Sequence, residues 1–473
     1  MVVGEITQKT DLLVIGAGPG GYAAAFRAAD LGLDVTLVDI RISPGGVCLF
    51  EGCIPSKVFL YLSELIHDAR RAGGMGVHFN EPRLDVKEIR KWKKSVVDKL
   101  SQGLTGLTKK RNIQWLQAQA VFENSNTARL IGSDVAHIKF HHAIIATGSA
   151  PQMLPTAVVS GKRIMDSTGA LDFQDVPKTL LVVGGGYIAL ELGQVYAAMG
   201  SKVSMVVRSK FLREIDNDLV SPLARKMNEL CEDIYLQTVV DSVKENEDGV
   251  DVILKGEDGK RVHKTFDRLL IAVGRIPVTK ELGLDKTEVE VDEKAFIAVN
   301  DKQQTIDSHI LAVGDVVKGP MLAHRAMRQG KVAAEVIAGM SSAYDVRAIP
   351  AVVYTDPQIA WCGLTENEAE KNTIAYEVVR FPWGASGRAA TMGISAGLTK
   401  LLLEPKTGRI LGAGIVGRDA EALIAECVLA IEMGALAEDL ALSVHPHPTL
   451  AETEGEAAEI FLGSSTHVMG HRK

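Results

Sequence analysis

Cys48 and Cys53 stand in the run Gly45-Gly46-Val47-Cys48-Leu49-Phe50-Glu51-Gly52-Cys53-Ile54-Pro55-Ser56-Lys57, with four residues between the thiols. A bridge between them would close so small a loop that chain entropy gives it little stabilising effect. Such a pair is better suited to cycling between dithiol and disulfide than to stapling, and in a reducing compartment it points to redox or metal chemistry. A second constellation lies near the far end of the chain, where His445 and His447 alternate with prolines and Glu452 follows. Imidazole titrates near neutral pH, so a histidine held by a carboxylate suits proton exchange with a thiol. A metal reading of the two histidines is set aside, because prolines intervene and further ligands are missing.

The elements that must position the thiols are legible around them. Leu12 to Ile15 form a short apolar run of buried-strand type, followed by Gly16-Ala17-Gly18-Pro19-Gly20-Gly21 and an alanine-rich helix from Tyr22 to Leu31 that stops at Gly32. In such a turn Gly16 permits the tight bend, Gly18 lets the backbone approach a pyrophosphate, and Gly21 lets the helix pack closely on the strand. The next strand, Val35 to Val38, delivers Asp39 where an acid can accept hydrogen bonds from an adenosine ribose. A second fingerprint follows the apolar run Leu180 to Val183, with Gly184, Gly186, Tyr187, Ile188, Ala189 and Glu191 leading into a helix. Two nucleotide turns imply two cofactors, a bound flavin and a diffusing nicotinamide, able to pass a hydride on one side and electrons to a disulfide on the other.

Together these motifs resemble the flavin disulfide oxidoreductases, whose pattern is Gly-Gly-x-Cys-x-x-x-x-Cys-x-Pro-x-Lys. The stretch Val444 to Glu452 resembles the His-x-His-Pro-Thr-x-x-Glu motif of the dihydrolipoamide dehydrogenase family. The resemblance runs from about Lys9 to Gly463 and implies an α/β fold of two Rossmann-like dinucleotide-binding domains plus a C-terminal α+β dimerisation domain. The expected divisions are 1–149 and 277–347 for the FAD domain, 150–276 for NAD(P), 348–463 for dimerisation, and 464–473 for a tail in which His467 and His471 are solvated. For FAD the resemblance implies Gly16, Gly18, Gly21, Asp39, Gly46, Lys57, Thr147, Gly148 and Asp315, with the backbone of Met321, Leu322, Ala323 and His324 near the ring. For NAD(P) it implies the second turn, Glu191 and Gly274, to which Arg208 and Arg213 are added by their charge. The catalytic set it carries over is Cys48 and Cys53 as the redox pair, His447 as acid/base oriented by Glu452 and serving the other subunit of a homodimer, and Lys57 paired with Glu191. His445 is then structural. The implied reaction oxidises dihydrolipoyl groups on a carrier protein.

Glutathione reductases are similar in the cysteine pair and in an arginine-bearing nucleotide loop, which makes an NADPH-dependent disulfide reductase the alternative. They lack the doubled His-x-His-Pro pattern. Mercuric and large thioredoxin reductases carry a further C-terminal cysteine or selenocysteine pair, and no cysteine follows Cys427. A flavoprotein scaffold or redox sensor without catalysis is opposed by the combination of Cys48, Cys53 and His447.

Composition bounds the rest. The chain has 473 residues, 46% hydrophobic and 23% charged, with 45 glycines and a net charge of −7, which suits a multidomain globular enzyme and gives no reason to expect nucleic acid or an anionic membrane as partner. Cys231, Cys362 and Cys427 are scattered and read as small packing residues. Met1 to Thr10 lacks a long apolar stretch after a basic segment, and no run approaches the length of a bilayer span, so a cytoplasmic protein is expected.

Two departures from the family pattern carry expectations of their own. The strand Val203 to Val207 ends without an acid for a ribose 2′-hydroxyl; Arg208, Lys210 and Arg213 follow, so a 2′-phosphate is favoured and NADP over NAD with it. Between the cysteines Phe50-Glu51 replaces a common Asn-Val, and a carboxylate there is expected to oppose thiolate formation.

Overall fold

A computed structural model describes residues 6–157 and 162–469 of the chain; His471 and the first five residues lie outside them. Strand β1 (Ile6–Ile15) is flanked on both sides by parallel neighbours, β2 (Val35–Asp39) and the strand Val135–Ile145. With both faces covered, its C-terminal half is apolar without alternation, and Leu12, Leu13 and Val14 are fully buried. Helix α1 (Pro19–Asp30) starts three residues before the expected Tyr22, because Pro19, which has no N–H to satisfy, fits the first turn. It crosses the helix Ala323–Ile337 at close range: a Cβ on Gly330 would lie 2.3 Å from the Gly20 carbonyl oxygen. The strand Ile310–Ala312 pairs with Ala143–Ile145, which returns the chain to this first sheet.

The second unit centres on Thr179–Val183 in a five-stranded parallel sheet between Lys202–Val207 and Arg268–Ile271. The two crossings between the nucleotide units, Ser149–Pro151 and Arg275–Pro277, pair as an antiparallel ribbon. A third unit is a five-stranded antiparallel sheet, from Ala351–Val353 to Glu377–Pro382, covered by the helices Ala420–Met433 and Glu452–Leu462.

The second and third units meet at a buried ion cluster. Lys400, 1% exposed, donates to Asp216 at 2.6 Å, Asp218 at 2.8 Å and Glu366 at 2.7 Å, and Arg380 closes the group against Asp218 and Glu366. Three carboxylates so close could hold a metal ion; the ammonium fills that place. An uncompensated charge at this depth would be costly, so each member depends on the others.

One expectation is corrected here. The helical stretch Gly46–Met75 reaches a mean hydropathy of 1.2 over 18 residues, long and apolar enough by composition to cross a membrane. Its apolar side has another use: Phe59, Leu60 and Ile66 enter the core. His467, expected to be solvated, is exposed and also pairs with Glu456 at 2.5 Å.

Candidate active site

The chain after β2 turns back over the first glycine turn and places both thiols. Helix α2 (Gly46–Phe50) carries Cys48, and helix α3 (Cys53–Ala72) begins at Cys53. The close approach needs glycine: at Gly46, with φ +59°, a Cβ would sit 2.5 Å from the Gly18 Cα. Both cysteines are unbridged, Cys48 half-buried and Cys53 open to the cleft. The Cys48 thiol donates to the Cys53 sulfur, and this hydrogen bond, aided by the Lys57 ammonium, holds the Cys53 thiol down to about 7 against the opposing effect of burial. Donating that proton, together with burial, drives Cys48 strongly upward. The dithiol therefore ionises at Cys53 while Cys48 keeps its proton.

Lys57 lies one turn along α3 and donates to Glu191 at 3.0 Å. Glu191 is 3% exposed; its other oxygen accepts the Tyr354 backbone N–H at 3.0 Å, and the Lys57 ammonium sits 4.2 Å from the centre of the Tyr354 ring. The pair joins helices from the two nucleotide units beside the thiols.

These groups share one cleft of about 630 Å³, lined also by Gly16, Gly18, Asp39, Gly46, Thr147, Gly148, Asp315, Met321, Ala323, Tyr187 and Ile188. Its floor has the shape of a pyrophosphate cradle. A Cβ on Gly16 would lie 2.4 Å from the Ala146 carbonyl oxygen and one on Gly21 only 1.8 Å from the Gly16 carbonyl oxygen, whereas at Gly18 the nearest atom is 3.9 Å away. Asp39 accepts the Ala17 N–H at 2.7 Å, and the Arg41 Nε is buried without a hydrogen-bond partner. Narrow glycines beneath, open space above and an orphan donor at the side fit an anionic dinucleotide such as FAD. Leu322 and His324 do not line the cleft; the Leu322 N–H donates to Pro320, and the His324 ring bonds the Pro350 carbonyl at 2.7 Å.

The second turn has the same construction. A Cβ on Gly184 would lie 2.2 Å from the Ala272 carbonyl oxygen, Gly186 opens to free space, and Ala189 is buried under the turn. Gly274 holds φ +146° where the chain leaves this unit. Val207 packs against Gly185, and beyond it Arg208 is exposed, Lys210 donates to Asn217 at 2.7 Å, and Arg213 approaches Glu214 at 3.5 Å.

His447 lies elsewhere. Its Nδ1 is 2.8 Å from Glu452 Oε1, the other carboxylate oxygen accepts the Thr449 N–H at 2.7 Å, and the imidazole is 73% exposed. Neither residue lines the cleft. His445 Nε2 meets Glu426 at 2.9 Å inside the same unit, in keeping with a structural part.

Sequence reasoning missed several cleft contacts. Asp315 accepts from Ser149 at 2.5 Å, and Arg275 donates to the Ser149 hydroxyl and carbonyl at 2.7 and 2.6 Å, tying the interdomain ribbon to the cleft wall. Arg41 meets Glu51 at 2.8 Å. This pairing corrects the expectation for Glu51: its charge is met by Arg41, and the acid that acts against the Cys53 thiolate is Glu191.

The family of pyridine nucleotide-disulphide oxidoreductases matches residues 10–330, and its dimerisation domain matches residues 349–458. The chain belongs to this family, and with it come FAD and a pyridine nucleotide. It is 44% identical to a dihydrolipoyl dehydrogenase of Haemophilus influenzae, over 97% of this chain and 96% of that one. It is 42% identical to a dihydrolipoyl dehydrogenase of Geobacillus stearothermophilus, over 99% of this chain and all of that one. Among solved structures it is similar to LpdA from Mycobacterium tuberculosis, with a TM-score of 0.87 and 25% identity over 95% of this chain and 99% of that one.

Proposed function

We propose that the chain oxidises protein-bound dihydrolipoyl groups to lipoyl and reduces a nicotinamide, working as a homodimer with the carrier protein as partner. The observation that carries this reading is the dithiol beside the Lys57–Glu191 pair in a dinucleotide cleft, together with a carboxylate-held imidazole on the dimerisation unit. A substrate thiolate attacks the Cys48 sulfur of the oxidised pair, expelling Cys53 as thiolate; the second substrate thiolate then displaces Cys48 and leaves with the new disulfide. Cys53 is the better leaving group, because the Lys57 ammonium stabilises its thiolate. His447 takes the protons, with Glu452 orienting its ring. Bound FAD supplies the path by which the electron pair reaches the nicotinamide.

His447 stands apart from its own chain's cleft, which favours service to a partner subunit related by twofold symmetry. Exposed Tyr61, Leu65, Leu429, Met433, Leu442 and Val444 offer apolar surface for such contact. A cycling cysteine pair, with Cys231, Cys362 and Cys427 unbridged, suits a reducing, cytoplasmic setting. NADP is favoured over NAD by the exposed Arg208 and Arg213 and by Val207 at the place of an acid.

The deciding experiment is a steady-state assay of dihydrolipoamide oxidation with NAD or NADP and, separately, of glutathione disulfide reduction with NADH or NADPH. Turnover of dihydrolipoamide is expected to dominate; efficient reduction of glutathione disulfide alone would assign the chain to the reductase class instead.

A further inference from the structure

Arg41 sits two residues beyond Asp39 and lines the same cleft as the first glycine turn and both cysteines. Its backbone N–H and one guanidinium nitrogen have defined places. The backbone N–H donates to Asp39 Oδ1 at 2.9 Å, and Nη2 donates to Glu51 at 2.8 Å. The Nε is buried and unpartnered. An ionised donor shut from water and left unpaired is costly, and native proteins rarely keep one without a ligand to meet it. A guanidinium is a rigid fork that can hold a carboxylate with one arm and an anionic oxygen with another. Glu51, its one ion-pair partner among the described residues, lies between Cys48 and Cys53, so the side chain touches the redox loop as well.

We propose that Arg41 binds the flavin directly, donating from Nε to the anionic pyrophosphate and ribose half of FAD while its other arm fixes the loop between the cysteines. The inference rests on the reading of this cleft as the FAD site. Arg41 is thereby the residue that joins grip on the cofactor to the placement of the thiols. Loss of FAD would free one side of the guanidinium, and loss of Glu51 would free the other.

The test compares FAD affinity, by recovery of flavin quenching on titrating FAD into deflavinated protein, for wild type, Arg41→Met, Arg41→Lys and Glu51→Gln, with circular dichroism to verify folding. Arg41→Met is expected to weaken FAD binding about tenfold or more. Arg41→Lys, which keeps the charge and loses Nε, is expected to weaken it at least about threefold, and Glu51→Gln to stay within about threefold of wild type. If Arg41→Met fails to fold, Arg41→Lys still decides. Wild-type affinity in the Arg41 variants would overturn the proposal, as would equal weakening in Glu51→Gln, which would place the effect in the ion pair alone. A wild-type protein that binds no FAD would overturn the site reading itself; one that binds FAD regardless of residue 41 would overturn only this inference.

Discussion

Glu454 lies in the first turn of the helix that also carries Glu452, and replacing it should change how stability depends on pH. Its side chain is fully buried; Oε2 accepts the Cys427 thiol at 3.3 Å, and Oε1 has no partner. Burial, reinforced by the nearby Glu426 carboxylate, raises its carboxyl from the ordinary 4.5 to about 8. Cys362 faces it from the sheet, and His445 is engaged with Glu426. Because the folded acid holds its proton more tightly than the unfolded one, its stabilising contribution is complete below pH 4.5 and is lost as pH rises through about 8. At about 1.4 kcal/mol per pH unit, the loss across that window is on the order of 3–5 kcal/mol per chain. Glu454→Gln keeps the shape and the acceptor for Cys427 but cannot ionise. Urea unfolding of the holoprotein at fixed concentration, at about pH 5 and about pH 9, reads the difference between the two proteins, from which titrations common to both cancel. The variant's advantage should grow with pH by roughly 2–4 kcal/mol. Parallel pH profiles would refute the claim that Glu454 is held neutral by burial.

Two-electron reduction of the holoprotein should give long-wavelength charge-transfer absorbance, and Cys53→Ser should abolish it; persistence of the band would remove the thiolate from Cys53. Lys57→Met should cost about 3–5 kcal/mol by stranding the buried Glu191 carboxylate and should raise the Cys53 thiol pKa, read from the pH dependence of alkylation. An unchanged alkylation profile would show that Lys57 does not act on the thiol. Mixing inactive Cys48→Ser and His447→Gln chains under subunit exchange should restore one working site per heterodimer; no recovery despite proven exchange would mean that each chain uses its own imidazole. Val207→Glu with Arg208 and Arg213 made neutral should shift the ratio of kcat/KM toward NAD by about tenfold or more. A wild type that strongly prefers NAD, and does not respond to these changes, would identify the arginines as solvated turn residues.

The parts of the site that could be read from sequence are those whose geometry is local. A strand, a turn whose glycines avoid clashes as short as 1.8 Å, and a helix declare themselves within a few tens of residues, as do two thiols in one loop. The dyad of His447 and Glu452 is equally compact. Contacts made across the chain gave no such signal: Ser149 and Arg275 meet 126 positions apart, and Lys400 reaches Asp216 over 184. Lys57 and Glu191, 134 apart, were reached through family resemblance alone. The expectation for Glu51 failed because a charge was weighed without its partner, ten residues upstream in Arg41. The helical stretch around Cys53 was passed over as too short an apolar run, although it reaches a mean hydropathy of 1.2; composition alone does not separate apolarity that faces a core from apolarity that faces lipid.

The cluster around Lys400 sets a rule for recombination between relatives. Its carboxylates come from the start of the nicotinamide unit's long helix and from the dimerisation unit, while the lysine belongs to the dimerisation sheet alone. A chimera cut between the two units, with a relative that lacks the matching residues, would inherit half of the cluster, leaving either a sealed ammonium with Glu366 as its remaining carboxylate or Asp216 and Asp218 without the Lys400 cation. The units are separable in topology yet matched in charge, so a viable graft in this lineage must carry Asp216 and Asp218 together with Lys400 and Glu366, wherever along the backbone the seam is drawn.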